Sequence, residues 1–206
     1  MRLSFTVRGL RRVRSLLARE DGFSLTEALV AVVILGIVLS GLTTTFVSAS
    51  RAELDANRRF QAQEQARLAL DQLRRELHCA SAVTDVNGAT LSSSSTYSAI
   101  KVSLGSFCTT TTPTGVVTWC TQGTGPWALY RIDHAVTTCS TGSGARKLAD
   151  HLTAQLPFSK PAAAAGVGVQ LPTLHVAFSV NAQGLSATTG TSMLDDDIAL
   201  RNATRV

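Results

Sequence analysis

The chain has 206 residues and a formal net charge of +5, a length that suits a single domain with appendages. Six of its 19 basic residues lie in residues 1–22, against Glu20 and Asp21, which leaves 13 basic and 12 acidic side chains from Phe23 onward. A general nucleic-acid-binding surface needs Lys and Arg clustered on one face, so nucleic acid is not expected as a main ligand.

Residues 1–22 are predicted to be a basic leader that stays in the cytoplasm, because positive charge beside an apolar span marks the cytoplasmic side. The alternative is a secretory signal peptide cut at Val47-Ser48-Ala49. Such peptides have an apolar stretch of only ~7–15 residues. The stretch here is longer and Glu27 interrupts its start, so a conventional signal peptide is not favoured.

Residues 23–47 are predicted to be the membrane-spanning half of a long helix. No charged side chain occurs from Ala28 to Leu42, and the apolar block covers the ~20 residues that a bilayer-spanning helix needs. Glu27 lies at the start of this block, where an ionisable group is costly and by default indicates function. We therefore expect a single-pass membrane protein whose later residues lie outside the cytoplasm.

Residues 48–79 are predicted to continue the same helix as its amphipathic half. The segment is rich in helix formers, and the first proline of the chain is Pro113. One apolar stripe recurs at helical spacing and predicts packing against a soluble domain; its residues are Ala66, Leu70, Leu73 and Leu77. The polar surround is predicted to consist of Arg58, Arg59, Glu64, Arg67, Asp71, Arg74, Arg75 and Glu76, with Asp71 and Arg75 as an i, i+4 ion pair.

Residues 80–206 are predicted to be an exported β-rich region. Helical periodicity disappears there, and short β-branched segments alternate with turn residues such as Asn87-Gly88. An antiparallel sheet packed on the second half of the helix gives an α+β fold. Residues 92–95, 109–112 and 161–168 are predicted to be loops. The predicted strands are residues 99–104, 116–120, 127–132, 174–180 (with Leu174, Val176, Phe178 and Val180 on one face) and 197–200.

All four cysteines follow the apolar block, so they are expected outside the cytoplasm, where disulfide bonds persist. None has C-x-x-C spacing, which disfavours a zinc or thioredoxin-like site. Two disulfides are expected, and the three possible pairings stay open; the candidates are Cys79, Cys108, Cys120 and Cys139.

The stretch Gly22-Phe23-Ser24-Leu25-Thr26-Glu27, behind a basic leader and before an apolar helix, resembles the signature of the type IV pilin and pseudopilin family. The resemblance implies that prepilin peptidase cuts between Gly22 and Phe23 and methylates the new amino group of Phe23. It also implies that Glu27 neutralises the N-terminal ammonium of a neighbouring subunit. The expected partners are other pilins or pseudopilins in a filament and an inner-membrane assembly platform, and no cofactor is expected.

Three further segments resemble minor pilins and J-type pseudopilins: residues 67–77, 127–132 and 198–202. The span also lacks the proline of major pilins, so Gly36 and Gly41 are expected to supply any bend. A minor pilin or pseudopilin with a structural or initiating role is therefore expected, first in the cell membrane and then in a surface filament. Whether the machine serves secretion, competence, adhesion or motility stays open.

Two other functional classes are less favoured by the sequence than this structural role. A membrane-anchored binding module that captures DNA, a surface or an exported substrate would use the loops of residues 80–200, whose basic residues are few: Lys101, Arg146, Lys147 and Lys160. An enzyme is not expected, because no G-x-S-x-G elbow or other catalytic frame is present.

A metal site is not expected, although Asp195, Asp196 and Asp197 are weak candidates because hard cations take oxygen ligands. Three consecutive acids on a strand cannot all face one ion. The four histidines show no metal-ligand spacing; they are His78, His134, His151 and His175.

Overall fold

The computed structural model describes residues 24–106, 108, 112, 114–142, 144–161, 171–184 and 190–203. The chain forms two units, Met1–Arg51 and Ala52–Val206. One helix, α1 (Leu25–Cys79), contributes to both units. Within the described residues it is followed by nine strands: β1 (Ala80–Thr84), β2 (Thr96–Tyr97), β3 (Ala99–Leu104), β4 (Val116–Gln122), β5 (Trp127–Ile132), β6 (Ala145–Leu152), β7 (Phe158–Ser159), β8 (Thr173–Val180) and β9 (Ser192–Ala199).

Helix α1 is continuous over 55 residues, which confirms the predicted long helix from Leu25 onward. No proline interrupts it, and it passes through Gly36 and Gly41 without a break in the helical assignment. Phe23, the predicted first residue, lies outside the described residues. The helix ends at Cys79, where the sequence changes to the small and β-branched residues of β1.

The strands of the second unit form one curled antiparallel sheet. Among the described residues its order is β1-β3-β4-β5-β6-β8-β7-β2, and β9 pairs with β8 along the whole length of both strands. A long apolar N-terminal helix followed by such a sheet is the predicted α+β, pilin-like architecture, which is confirmed.

The core of the second unit lies between the later part of α1 and the sheet. The predicted helical stripe from Ala66 to Leu77 is buried, and so are the alternate residues of β8 from Leu174 to Val180, so both predictions are confirmed. The rings of Phe158 and Phe178 meet edge to face, with centroids 6.3 Å apart. Helical spacing on one side and alternation on the other therefore supply the two faces of one core.

Two predicted strands match β3 and β5, and two others are one or two residues short of β4 and β8. The prediction for residues 197–200 is wrong in extent, because β9 begins at Ser192 and ends at Ala199. Pairing with the whole of β8 makes Asp195 to Asp197 part of a strand, although aspartate is a poor strand former. The composition of the missed strand β6 favours helix, and its pairing with β5 overrides that preference.

The predicted turn at Asn87-Gly88 is present, and Gly88 has a φ of +88°, a conformation that glycine adopts without a steric penalty. Residues 92–95 form the predicted exposed loop. Residues 109–111 and 162–168, which were predicted to be loops, lie outside the described residues.

Candidate functional site

The apolar block of α1 is exposed all the way around the helix within the first unit. Its large side chains range from Val47, 40% exposed, to Leu25, 83% exposed. Among the described residues α1 is the one helix long and apolar enough to cross a membrane, and its most apolar stretch has no buried residue. A helix that is apolar on every side needs lipid or other helices around it. The chain therefore has the form of a single-pass membrane-anchored protein.

Glu27 lies in the first turn of α1, at the start of the apolar block. The carbonyl oxygen of Ser24 accepts hydrogen bonds from the backbone N–H groups of Glu27 at 2.9 Å and Ala28 at 3.1 Å, so Ser24 is the N-cap residue directly before the helix. A carboxylate in the first turn is favoured by the positive end of the helix dipole. Glu27 is exposed and can meet a cationic group from another molecule. Gly22 and Phe23, the predicted cleavage and methylation residues, lie outside the described residues.

Three consecutive threonines at the C-terminal end of the apolar block form hydrogen bonds to the helix backbone through their hydroxyl groups. The hydroxyls of Thr43, Thr44 and Thr45 each donate a 2.8 Å hydrogen bond to a helix carbonyl three or four residues earlier. This back-bonding satisfies the hydroxyl donors within the helix. The polar side chains are thus compatible with apolar surroundings, and the stretch without charge continues beyond Leu42.

All four cysteines form disulfides, so the structure selects one of the three pairings that the sequence left open. Cys79, the last residue of α1, is bonded to Cys108, with Cα atoms 5.6 Å apart. Cys120 in β4 is bonded to Cys139, with Cα atoms 5.9 Å apart. The first bond fastens the end of the helix to the segment after β3, and the second fastens β4 to the segment after β5.

Glu76 and Arg131 form an ion pair inside the second unit. Arg131 Nε lies 2.7 Å from Glu76 Oε1, and Trp119 Nε1 donates to Glu76 Oε2, also at 2.7 Å. Arg131 contacts Asp133 as well. The prediction that Glu76 belongs to the exposed polar surround is wrong, because its side chain is 1% exposed. A single arginine within the apolar strand β5 was the available signal, since a buried charge requires a partner.

The three acids of β9 divide between the two faces of the strand, as alternation requires. Asp197 Oδ1 lies 2.8 Å from His175 Nδ1, and Asp195 Oδ1 lies 3.4 Å from His175 Nε2. Asp196 instead forms an ion pair with Arg74 at 2.9 Å. Arg74 also contacts Asp71 at 3.1 Å, so Asp71 pairs with Arg74, three residues later, and not with Arg75, four residues later, as predicted.

No metal-binding arrangement exists in the part of the chain that the structure describes. Within it, no group of three or more His, Cys, Asp or Glu side chains could hold a metal ion. The two ring nitrogens of His175 contact different carboxylates, those of Asp195 and Asp197. These three side chains therefore contact one another.

The basic residues proposed for a binding module lie in or beside three strands: Lys101 in β3, Arg146 and Lys147 in β6, and Lys160 directly after β7. The ammonium of Lys147 donates a 2.7 Å hydrogen bond to Asp150, and this contact raises the pKa of Lys147 above its ordinary value. Lys160 is exposed at the rim of an apolar groove of about 270 Å³, which is lined by Val83, Leu91, Leu174 and Leu200 among others. Arg146 and Lys147 are thus neighbours in one strand, and Lys147 is already paired with Asp150.

Comparison with known protein families matches residues 17–43 to the prokaryotic N-terminal methylation motif. No curated protein and no solved structure gives a significant match to the chain. The matched residues include the predicted cleavage position, Glu27 and most of the apolar block. The chain therefore has the type IV pilin and pseudopilin signature, which is the signature of a prepilin-like substrate of prepilin peptidase. The family with this motif is structural and not enzymatic.

Proposed function

We propose that the chain is a minor pilin or pseudopilin, which is assembled into a type IV pilus-like or type II secretion-like filament. The observation that carries the proposal is the overlap of the methylation motif, residues 17–43, with a helix whose apolar side chains are exposed on every side. Such a surface needs a membrane before assembly and neighbouring helices after it. The resemblance of residues 67–77, 127–132 and 198–202 to minor pilins supports the structural or initiating role.

Processing of the leader is the first proposed step. Prepilin peptidase removes residues 1–22 on the cytoplasmic side by cutting between Gly22 and Phe23, and it then methylates the amino group of Phe23. A glycine before the cut has no Cβ, so its backbone can approach the catalytic groups of the peptidase closely. The motif match across residues 17–43 supports this step.

Glu27 is proposed to neutralise the N-terminal ammonium of a neighbouring subunit. Opposite charges attract more strongly in a low dielectric than in water, although desolvation offsets much of that gain. The pair would therefore determine the register of neighbouring helices more than the stability of the filament. The exposed position of Glu27 in the first turn of α1 supports this role.

The three segments that follow the leader are each proposed to have a separate role. Residues 23–47 form the membrane-embedded and later filament-core half of the helix, residues 48–79 its amphipathic half, and residues 80–206 an extracytoplasmic β-rich region. The two disulfides support this orientation, because disulfides persist in oxidising compartments. The partners are prepilin peptidase, other pilins or pseudopilins and an inner-membrane assembly platform.

Mass analysis of the N-terminus in the membrane fraction tests the processing step. We expect a chain that begins with methylated Phe23. An intact Met1, or a chain cut after Ala49, would contradict the proposal.

A pair of variants tests the role of Glu27 in assembly. We expect Glu27→Ala to be processed normally but to be largely lost from sheared surface filaments. Glu53→Gln removes a negative charge from an exposed position of the same helix and serves as the control. Equal incorporation of both variants into filaments would exclude the proposed pairing.

A further inference from the structure

The first part of α1 in the second unit is held to the rest of that unit in an unusual way. From residue 52 to residue 61 every side chain is exposed except those of Asp55 and Arg59, which are half-buried. The first buried apolar residue of the helix is Ala62. Two charged side chains, and no apolar ones, therefore mark the contact of this part of the helix.

The contact of Asp55 and Arg59 is made with the two ends of the connection between β8 and β9. Gln183 Nε2 donates to both carboxylate oxygens of Asp55, at 3.1 and 3.0 Å. Asp55 also accepts from Arg59 Nη2 at 2.7 Å, so the carboxylate joins the helix to the turn. Polar contacts at an exposed site contribute little free energy each, so this attachment is weak compared with the core.

Gly190 forms the second half of the contact, because the absence of a side chain leaves room for Arg59. A Cβ on Gly190 would lie 2.7 Å from Arg59 Nη1, closer than two such atoms approach, and the φ of +82° is also unfavourable for other residues. The guanidinium of Arg59 thus rests directly on the backbone of Gly190, and a larger residue there would push it away.

We propose that Asp55, Arg59, Gln183 and Gly190 form a releasable latch that fastens residues 52–61 of α1 to the β8–β9 connection. Opening the latch frees about 15 Å of helix, at ~1.5 Å per residue, while the apolar core that begins at Ala62 stays closed. Because local opening requires only the loss of weak surface contacts, it occurs at a lower free energy than global unfolding. The latch is a property of the second unit and does not depend on the proposed filament function.

Hydrogen exchange of the full chain in detergent at pH 7 tests the latch, with one variant on α1 and one in the β8–β9 connection. Asp55→Asn weakens the acceptor of Gln183, and Gly190→Ala displaces Arg59. Because each variant loses part of a weak polar contact, we expect amide exchange in residues 52–61 and 181–184 to rise by about twofold to fivefold in each variant. Glu53→Gln, which removes an exposed acid two residues from Asp55, is expected to leave this exchange unchanged.

Strands β3 to β5 provide the internal reference, and their exchange is expected to stay constant in all three variants. Unchanged exchange at residues 181–184 in Asp55→Asn would overturn the proposal. A parallel rise across β3 to β5 would also overturn it, because the contact would then support the whole fold and not a local latch.

Discussion

Arg131 Nε lies 2.7 Å from Glu76 Oε1, and the two side chains are 3% and 1% exposed. Glu76 belongs to the last turns of α1 and Arg131 to β5, while Trp119 from β4 donates to the other carboxylate oxygen. One buried carboxylate therefore joins the helix to two central strands. A buried ion pair adds little net stability over an apolar pair, but it is costly to break once formed. We infer that it determines the rotation of the helix against the sheet.

Replacing Glu76 with alanine is expected to lower the free energy of unfolding by about 3–5 kcal/mol, because Arg131 would be left buried without its main partner. The double variant Glu76→Leu with Arg131→Met removes both charges and is expected to lose much less. Urea unfolding of the full chain in detergent, followed by the fluorescence of Trp119 and Trp127, measures both values. Glu64→Ala, at an exposed position of the same helix, is the control. A loss as small as that of the control would contradict the proposed role of the pair.

Acid is expected to open the contact between Asp55 and Gln183. The hydrogen bond from Gln183 lowers the pKa of Asp55 below its ordinary value of 3.8, and Arg59 and Arg58 act in the same direction. A lowered pKa in the folded state means that the contact contributes stability above the ordinary pKa and that this contribution is lost as pH falls through the lowered value.

The side-chain amide resonances of Gln183 report this transition directly, with an expected midpoint below 3.8. Residues 181–192 contain no titratable side chain, so the transition belongs to Asp55. In Asp55→Asn it should be absent. A midpoint at or above 3.8 in the original protein would show that Gln183 does not stabilise the ionised carboxyl.

Two phenylalanines of the second unit, one buried and one exposed, allow the position of the core to be tested. Phe178 is fully buried and packs against Phe158, whereas Phe60 on α1 is 65% exposed. Phe178→Ala is expected to cost about 3–5 kcal/mol, because it removes a buried ring and leaves a cavity. Phe60→Ala should change stability by less than about 0.5 kcal/mol. Denaturant midpoints of the two variants make the comparison, and similar losses would mean that the core is wrongly placed.

Digestion without reduction is expected to yield two linked peptide pairs, one with Cys79 and Cys108 and the other with Cys120 and Cys139. The bonds span 29 and 19 residues, and restricting the unfolded chain in this way stabilises the fold by about 3–4 kcal/mol for each bond. Replacing both members of either pair with alanine is therefore expected to lower the unfolding free energy by about that amount. A peptide linking Cys79 to Cys120 would show a different connectivity.

The sequence predicted the elements whose signals are local. A run of helix formers without proline predicted α1, and a stripe at helical spacing predicted which of its residues from Ala66 to Leu77 are buried. Alternation in residues 174–180 predicted the inner face of β8. The missed strand β6 shows the limit of such signals, because its composition favours helix and only its pairing with β5 makes it a strand.

The sequence by itself determined the N-terminal signature, the position of Glu27 and the long helix, because these depend on residues that are neighbours along the chain. The tertiary structure alone decided the disulfide pairing, the division of the β9 acids between Arg74 and His175, and the burial of Glu76. Each of these depends on residues far apart in sequence, whose approach is determined by how the sheet curls and in which register its strands pair. Glu76 illustrates the difference, since its sequence neighbours indicate an exposed helix position and only Arg131 and Trp119 explain its burial.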